Sequence, residues 1–295
     1  MSVQYIVWQS TLRLLRVSLI GLPLSYLAVA SAVYFYQERL VYKPLRMLHG
    51  DPLSKGLAYE DVRLATPDGE LLHAWYIPAH AAHGTVLYLH GNGGNISSIL
   101  PDVLVLHELG LNLFLLDYRG YGESSGSPSE QGMYTDVQTA WEYLTVTRGI
   151  AATQIVIVGY SMGGGVAAWL AERTAPAGLI LLNTFTSMKD RGSELYPYLP
   201  VRQLMRYHYP ILERLPQITS PILIAHARDD RTIPIEHGYR LHAAAASPFP
   251  LLETDGGHGA GIAAVARQYP HELQAFLATV LQQPDMLPSV LPMGE

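Results

Sequence analysis

Ser161 stands in the run Ile155-Val156-Ile157-Val158-Gly159-Tyr160-Ser161-Met162-Gly163. A serine hydroxyl is a weak nucleophile. It attacks a carbonyl when a base lies within hydrogen-bond reach and a third group orients that base. Downstream, the chain offers an acid and then a histidine, in Asp229-Asp230-Arg231-Thr232-Ile233-Pro234 and Gly256-Gly257-His258-Gly259. Serine, acid and histidine in this order point to acyl transfer. The glycines around His258 allow a loop to carry an imidazole across to another strand's end. The other late histidines have poorer settings: His208 lies in a long insertion, His226 ends an apolar run, and His237, His242 and His271 fall in helical patterns. Asp230 is the expected partner of His258, with Asp229 as the alternative; the other aspartate is expected to cap the following helix.

Acyl transfer also needs two backbone N–H groups to hold the oxyanion of a tetrahedral intermediate. Met162, directly after the serine, supplies one. The loop His90-Gly91-Asn92-Gly93-Gly94-Asn95 supplies the other at Asn92, with Gly91 as second choice. The same glycines could hold phosphate, but no Lys-Ser or Lys-Thr follows at P-loop spacing, and the dinucleotide pattern fails at Ile96. His80 and His83 have metal-like spacing without a nearby carboxylate or third ligand, so they read as solvated loop residues. Neither a metal nor a cofactor is expected. The chain has no cysteine, which excludes thiolate nucleophiles, disulfides and zinc–cysteine sites. A formal charge of -6 without a long basic run argues against nucleic acid as a partner.

These residues need elements to place them. The apolar, β-branched run before Ser161 and the alanine-rich pattern after it predict strand, sharp turn and helix. Gly159 and Gly163 fall where strand and helix come closest. Further strands are predicted at 85–89, 113–116, 179–182, 222–225 and 250–253 beside the one at 154–159. Helices are predicted at 96–109, 129–146, 236–245 and 261–281. Residues 61–64 and 71–76 form an antiparallel hairpin across Pro67-Asp68-Gly69. Strands that are apolar throughout and alternate with helices predict an α/β fold, a mostly parallel sheet covered on both faces. Residues 184–216, rich in tyrosine and proline, interrupt the alternation. They read as a short helical cap over the site or as an insertion packed on the sheet.

Val17 to Tyr36 carries no charged side chain, with Arg13 and Arg16 before it and Glu38, Arg39, Lys43 and Arg46 after it. That suffices for one membrane span. Ala28-Val29-Ala30 and Ala30-Ser31-Ala32 offer cleavage sites for a signal peptide, but the apolar run continues to an aromatic belt at Tyr34-Phe35-Tyr36, which favours an uncleaved anchor. Basic residues are nearly balanced across the span, and the reading leans toward a domain outside the cytoplasm. The expected organisation is an anchor and juxtamembrane segment at 1–45, one α/β domain at 46–283 and a loosely ordered tail at 284–295.

Taken together, the chain resembles the membrane-anchored α/β-hydrolases of the bud-emergence type, whose relatives include protein depalmitoylases and serine aminopeptidase-like domains. The resemblance covers nearly the whole chain. It is carried by QERLVYKP from Gln37, HGNGGN from His90, DYRGYGESSG from Asp117, GYSMGG from Gly159, the acid stretch ending at Ile233-Pro234, and GGH from Gly256. It implies a triad of Ser161, Asp230 and His258. Gly259 departs from the pattern, since other members often have a residue such as asparagine there. The expectation is a membrane serine hydrolase cleaving a carboxylic ester or thioester, of a small molecule or a lipid or acylated substrate, through an acyl-enzyme. The alternatives are a serine peptidase acting on small amino-terminal substrates and a hydrolase-like binding protein without turnover.

Overall fold

The computed structural model describes residues 3–283; the tail expected at 284–295 lies outside the described residues. Eight strands form one sheet: β1 (Glu60–Ala65), β2 (Leu71–Ile77), β3 (Gly84–Leu89), β4 (Leu111–Asp117), β5 (Ile155–Tyr160), β6 (Gly178–Leu182), β7 (Ile222–Ala227) and β8 (Leu252–Thr254). Their spatial order is β8-β7-β6-β5-β3-β4-β2-β1. The hairpin β1–β2 is antiparallel, and β2 also runs antiparallel to β4. Every other neighbouring pair is parallel. The parallel strands point their carboxyl ends to one edge, where a ligand crevice belongs in such a sheet.

The continuous apolar runs are explained by burial on both faces. Leu87 and Leu89 of β3, and Ile155 and Ile157 of β5, face a core shared with α3 (Glu130–Glu142) and α4 (Gly163–Thr174). Their neighbours Val86, Tyr88, Val156 and Val158 face the opposite core, closed by α2 (Leu100–Glu108) and, at the chain's end, α9 (Ile262–Gln268) and α10 (Pro270–Val280). The helix expected at 261–281 is thus two helices. The break falls at Tyr269, because the following proline pushes that residue out of the helical region, to φ -136° and ψ 53°. The helix expected from Ile96 begins as a 3-10 turn over Ile96–Ile99.

Residues 184–216 contain α5 (Met188–Leu195), α6 (Val201–Leu204) and α7 (Ile211–Arg214), and α8 (Glu236–Ala244) follows β7. At the other end of the chain, α1 spans Val3–Val41, and its Leu19–Val41 portion is long and apolar enough to cross a membrane. The division expected at residue 45 is crossed by several contacts. Lys43–Pro44 pairs parallel with Gly93–Gly94, and the Asn92 side-chain amide donates to the Val41 carbonyl at 2.9 Å. Tyr42 is buried, with its hydroxyl 2.8 Å from that of Tyr209.

Candidate active site

Ser161 sits at the tip of β5 with φ +53°, a left-handed conformation rarely held by a residue with a side chain. Close packing enforces it. A Cβ on Gly163 would lie 2.1 Å from the Leu89 carbonyl oxygen, and one on Gly159 would lie 2.7 Å from the Gly164 Cα. The turn is further pinned to the end of β6: the Ser161 N–H donates to the Leu182 carbonyl at 2.9 Å, and the Thr184 hydroxyl donates to the Ser161 carbonyl at 2.6 Å.

The structure brings the three expected side chains into one hydrogen-bonded series. Ser161 Oγ lies 3.0 Å from His258 Nε2, and His258 Nδ1 lies 2.7 Å from Asp230 Oδ2. With the Nδ1 proton directed at the carboxylate, Nε2 is left to accept the serine proton. The second carboxylate oxygen of Asp230 accepts from the N–H groups of Thr232 and Ile233, at 2.7 and 2.9 Å. Burial opposes charge on Asp230, but His258 and these two amides outweigh it, and the carboxyl lies below the ordinary aspartate range.

Asp229 does not take the expected helix-capping role. It accepts from the N–H groups of Gly256 and Gly257, at 3.1 and 2.8 Å, and so braces the loop that carries His258. That loop needs its glycines, which hold φ +120° and +65°. The residue before α8 is Ile235, which has no side chain able to cap. Sequence reasoning missed two further supports of the loop. Asn183, at the end of β6, donates from its amide to the carbonyls of His258 and Ala260, at 3.1 and 2.7 Å. The Tyr160 hydroxyl also donates to the His258 carbonyl. An asparagine directly after a buried strand was the available signal, since asparagine tolerates the φ of +45° found there.

Ser161, Met162, Asn92 and His258 share one cavity of about 330 Å³. Among the described residues, the backbone N–H groups of Met162 and Asn92 have no protein acceptor. Gly91 lies beneath the serine, where a Cβ would come 3.3 Å from Ser161 Cβ, and lines a separate cavity of about 420 Å³ that Ser161 does not reach. The walls of the Ser161 cavity are mostly apolar. The cap contributes Phe185, Leu195, Tyr196, Leu199 and Met205, while Val33, Tyr34, Gln37 and Leu40 of α1 close the other side. The segment lines the cavity, and it packs on the helical layer and on Tyr42, where packing on the sheet was the alternative expected. Its residues up to Met205 line the Ser161 cavity, and the stretch beyond packs down through Tyr207 and Tyr209, which are buried against Tyr42 and Tyr134. The charged groups on the cavity are Lys43 and Arg191.

The comparisons agree with this architecture. A family model described as the alpha/beta hydrolase fold matches residues 84–208. The chain is 34% identical to the alpha/beta hydrolase domain-containing protein WAV2 of Arabidopsis thaliana, over 73% of this chain and 77% of that protein. It is 39% identical to protein bem46 of Schizosaccharomyces pombe, over 56% of this chain and 59% of that one. Among solved structures, an esterase from Pyrococcus furiosus superposes with a TM-score of 0.64 at 19% identity, over 82% of this chain and 97% of the esterase, which shows a shared fold. The strand order, the strained serine turn and these relatives lead to one conclusion: the chain belongs to the α/β-hydrolase family, in the group that contains bem46 and WAV2.

Proposed function

We propose that the protein is a membrane-anchored serine hydrolase that cleaves an ester or thioester of an apolar acyl group. The observation that carries this reading is the series Ser161–His258–Asp230 opening onto an apolar cavity. In the reaction, Ser161 Oγ attacks the acyl carbonyl as His258 Nε2 takes its proton. The N–H groups of Met162 and Asn92 hold the oxyanion, and the tetrahedral intermediate collapses as His258 returns the proton to the leaving oxygen or sulfur. Water then attacks the acyl-enzyme by the same route, releasing the acid and free Ser161. Asp230 keeps the imidazole in the required tautomer and stabilises the imidazolium.

The cavity favours an acyl chain over a peptide amino terminus, because its charged groups among the described residues are Lys43 and Arg191, and none of those residues places a carboxylate on it to hold an ammonium. The length and apolarity of Leu19–Val41 support the reading of α1 as a single span. Covalent labelling by a fluorophosphonate, with the adduct mapped by peptide mass spectrometry, tests the proposal. A single adduct on Ser161, competed by medium-chain p-nitrophenyl esters, is expected. An unlabelled, folded protein would return it to the class of non-catalytic binding proteins.

A further inference from the structure

We infer that the corner of the cap, Tyr196–Pro200, enters the lipid leaflet beside α1, so that the Ser161 cavity takes its acyl chain sideways from the membrane. The inference rests on the reading of α1 as a span. It follows from one contact and a length. The Tyr26 hydroxyl donates to the Tyr198 carbonyl at 2.9 Å, and Tyr26 stands near the middle of the uncharged run Val17–Tyr36. Were the cap wholly clear of the bilayer, only the part of that run before Tyr26 would remain to cross it. Those residues extend about 14 Å as helix, half of the roughly 30 Å that hydrocarbon requires. A helix that spans through this run and a cap that touches its middle place the cap in lipid.

The surface of the corner suits that position, and most of its backbone groups are paired. Tyr198 is 88% exposed and points away from the cavity, whereas Leu195 and Tyr196 are half-exposed and line it. Exposed apolar side chains thus stand both on the outside of the cap and at the cavity rim, where Leu40 of α1 is also half-exposed. Lipid tolerates irregular backbone only where its polar groups are satisfied. Pro197 and Pro200 have no N–H, those of Tyr196 and Leu199 donate to the carbonyls of Gly192 and Tyr196, and the Tyr26 hydroxyl donates to the Tyr198 carbonyl, which leaves the Tyr198 N–H and the Pro197 carbonyl as the backbone groups of the corner without a partner among the described residues. Gln37, the polar side chain buried where α1 meets the cap, is satisfied in the same way. Its amide donates to the Leu204 carbonyl at 3.3 Å, and its oxygen accepts the Arg206 N–H at 2.8 Å.

The natural chain has no cysteine, so single labelling sites are unambiguous. Tyr198→Cys, Leu24→Cys and Val146→Cys, each carrying a nitroxide in the full-length chain in phosphatidylcholine vesicles, are compared by collision with oxygen and with a water-soluble nickel chelate. The labels at 198 and 24 are expected to favour oxygen, and the label at the exposed position 146, far along the chain from cap and anchor, the chelate. Lipid contact at 24 with chelate contact at 198 overturns the inference and leaves the span intact. Chelate contact at 24 overturns the span and the inference together. Tyr198→Asp adds a functional measurement: kcat/KM for a vesicle-borne long-chain ester is expected to fall tenfold or more while hydrolysis of a water-soluble acetyl ester is unchanged. Equal rates with the long-chain ester before and after the substitution overturn sideways entry.

Discussion

The floor and the roof of the Ser161 cavity are built by different means. The floor hangs from the carboxyl ends of β3, β5, β6, β7 and β8, and nearly every group in it is fixed by hydrogen bonds that engage the backbone: Ser161 by Leu182 and Thr184, the His258 loop by Asp229 and Asn183, Asp230 by Thr232 and Ile233. The roof is α1 against the cap, joined by apolar contact and by the polar links of Tyr26 and Gln37, with Tyr42 just past α1 bonded to Tyr209. Reaction chemistry tolerates little displacement, since misplacement by about 1 Å can lower a rate roughly a hundredfold. Acyl binding depends on buried area and tolerates a softer wall. Floor changes should therefore lower turnover for every ester alike, whereas roof changes should alter which ester is preferred.

The largest effect is expected from Ser161→Ala, which should lower kcat by about 10⁴-fold or more for acetyl and medium-chain esters alike. Loss confined to long chains would put the nucleophile elsewhere. Asp230→Asn should lower kcat by about a thousandfold or more by favouring the wrong imidazole tautomer. Asp229→Asn, which weakens two backbone hydrogen bonds in the loop, should stay within about tenfold. The reverse ranking would give the orienting role to Asp229.

Deleting residues 1–40 removes one wall and keeps Val41, Tyr42 and the pairing of Lys43–Pro44 with Gly93–Gly94. In the full chain, kcat/KM is expected to rise by about fourfold per methylene buried, from about 0.8 kcal/mol each. The deletion should flatten that rise and leave acetyl ester hydrolysis largely intact. A truncated chain that no longer hydrolyses acetyl ester would make the roof part of the catalytic frame. Tyr196→Ser should flatten the same series more weakly, and Tyr198→Ser should leave it unchanged for soluble esters, since only Tyr196 faces the cavity.

The smallest expected effect concerns acid stability. The carboxyl of Asp230 lies below its ordinary value in the folded chain, so the unfolded chain binds the proton more readily. Its contribution is complete above the ordinary aspartate range near pH 4 and is lost as pH falls through it. Thermal melts from pH 6 to pH 3 should thus fall less steeply for Asp230→Asn than for the natural chain. Parallel curves would deny that the pairing with His258 stabilises the fold.

Most of the floor was legible because its residues carry local signatures. The strand–serine–helix run, the glycine loop after β3 and the histidine between glycines each announce a turn at the end of an apolar strand. Parallel strands then bring those ends to one edge regardless of the spacing between them. Asp229 was harder to place: two adjacent aspartates at one strand end differ only in which way each side chain turns, and that depends on the loop 27 residues later. The tyrosines of the cap were legible as a group and not one by one. Tyr196 lines the cavity, Tyr198 faces away, and Tyr207 and Tyr209 are core residues.

By itself, the sequence determined the α/β alternation, the strained serine turn and the identity of the serine, histidine and acid candidates, because each depends on residues near one another in the chain. Only the tertiary structure decided that α1 is also a wall of the cavity. Its link to the cap joins Tyr26 to Tyr198, 172 residues apart. An apolar side chain selected for lipid has the same composition as one that lines an acyl cavity. Which of the two surfaces Val33, Tyr34 and Leu40 meet depends on what packs against them, and no local pattern records that.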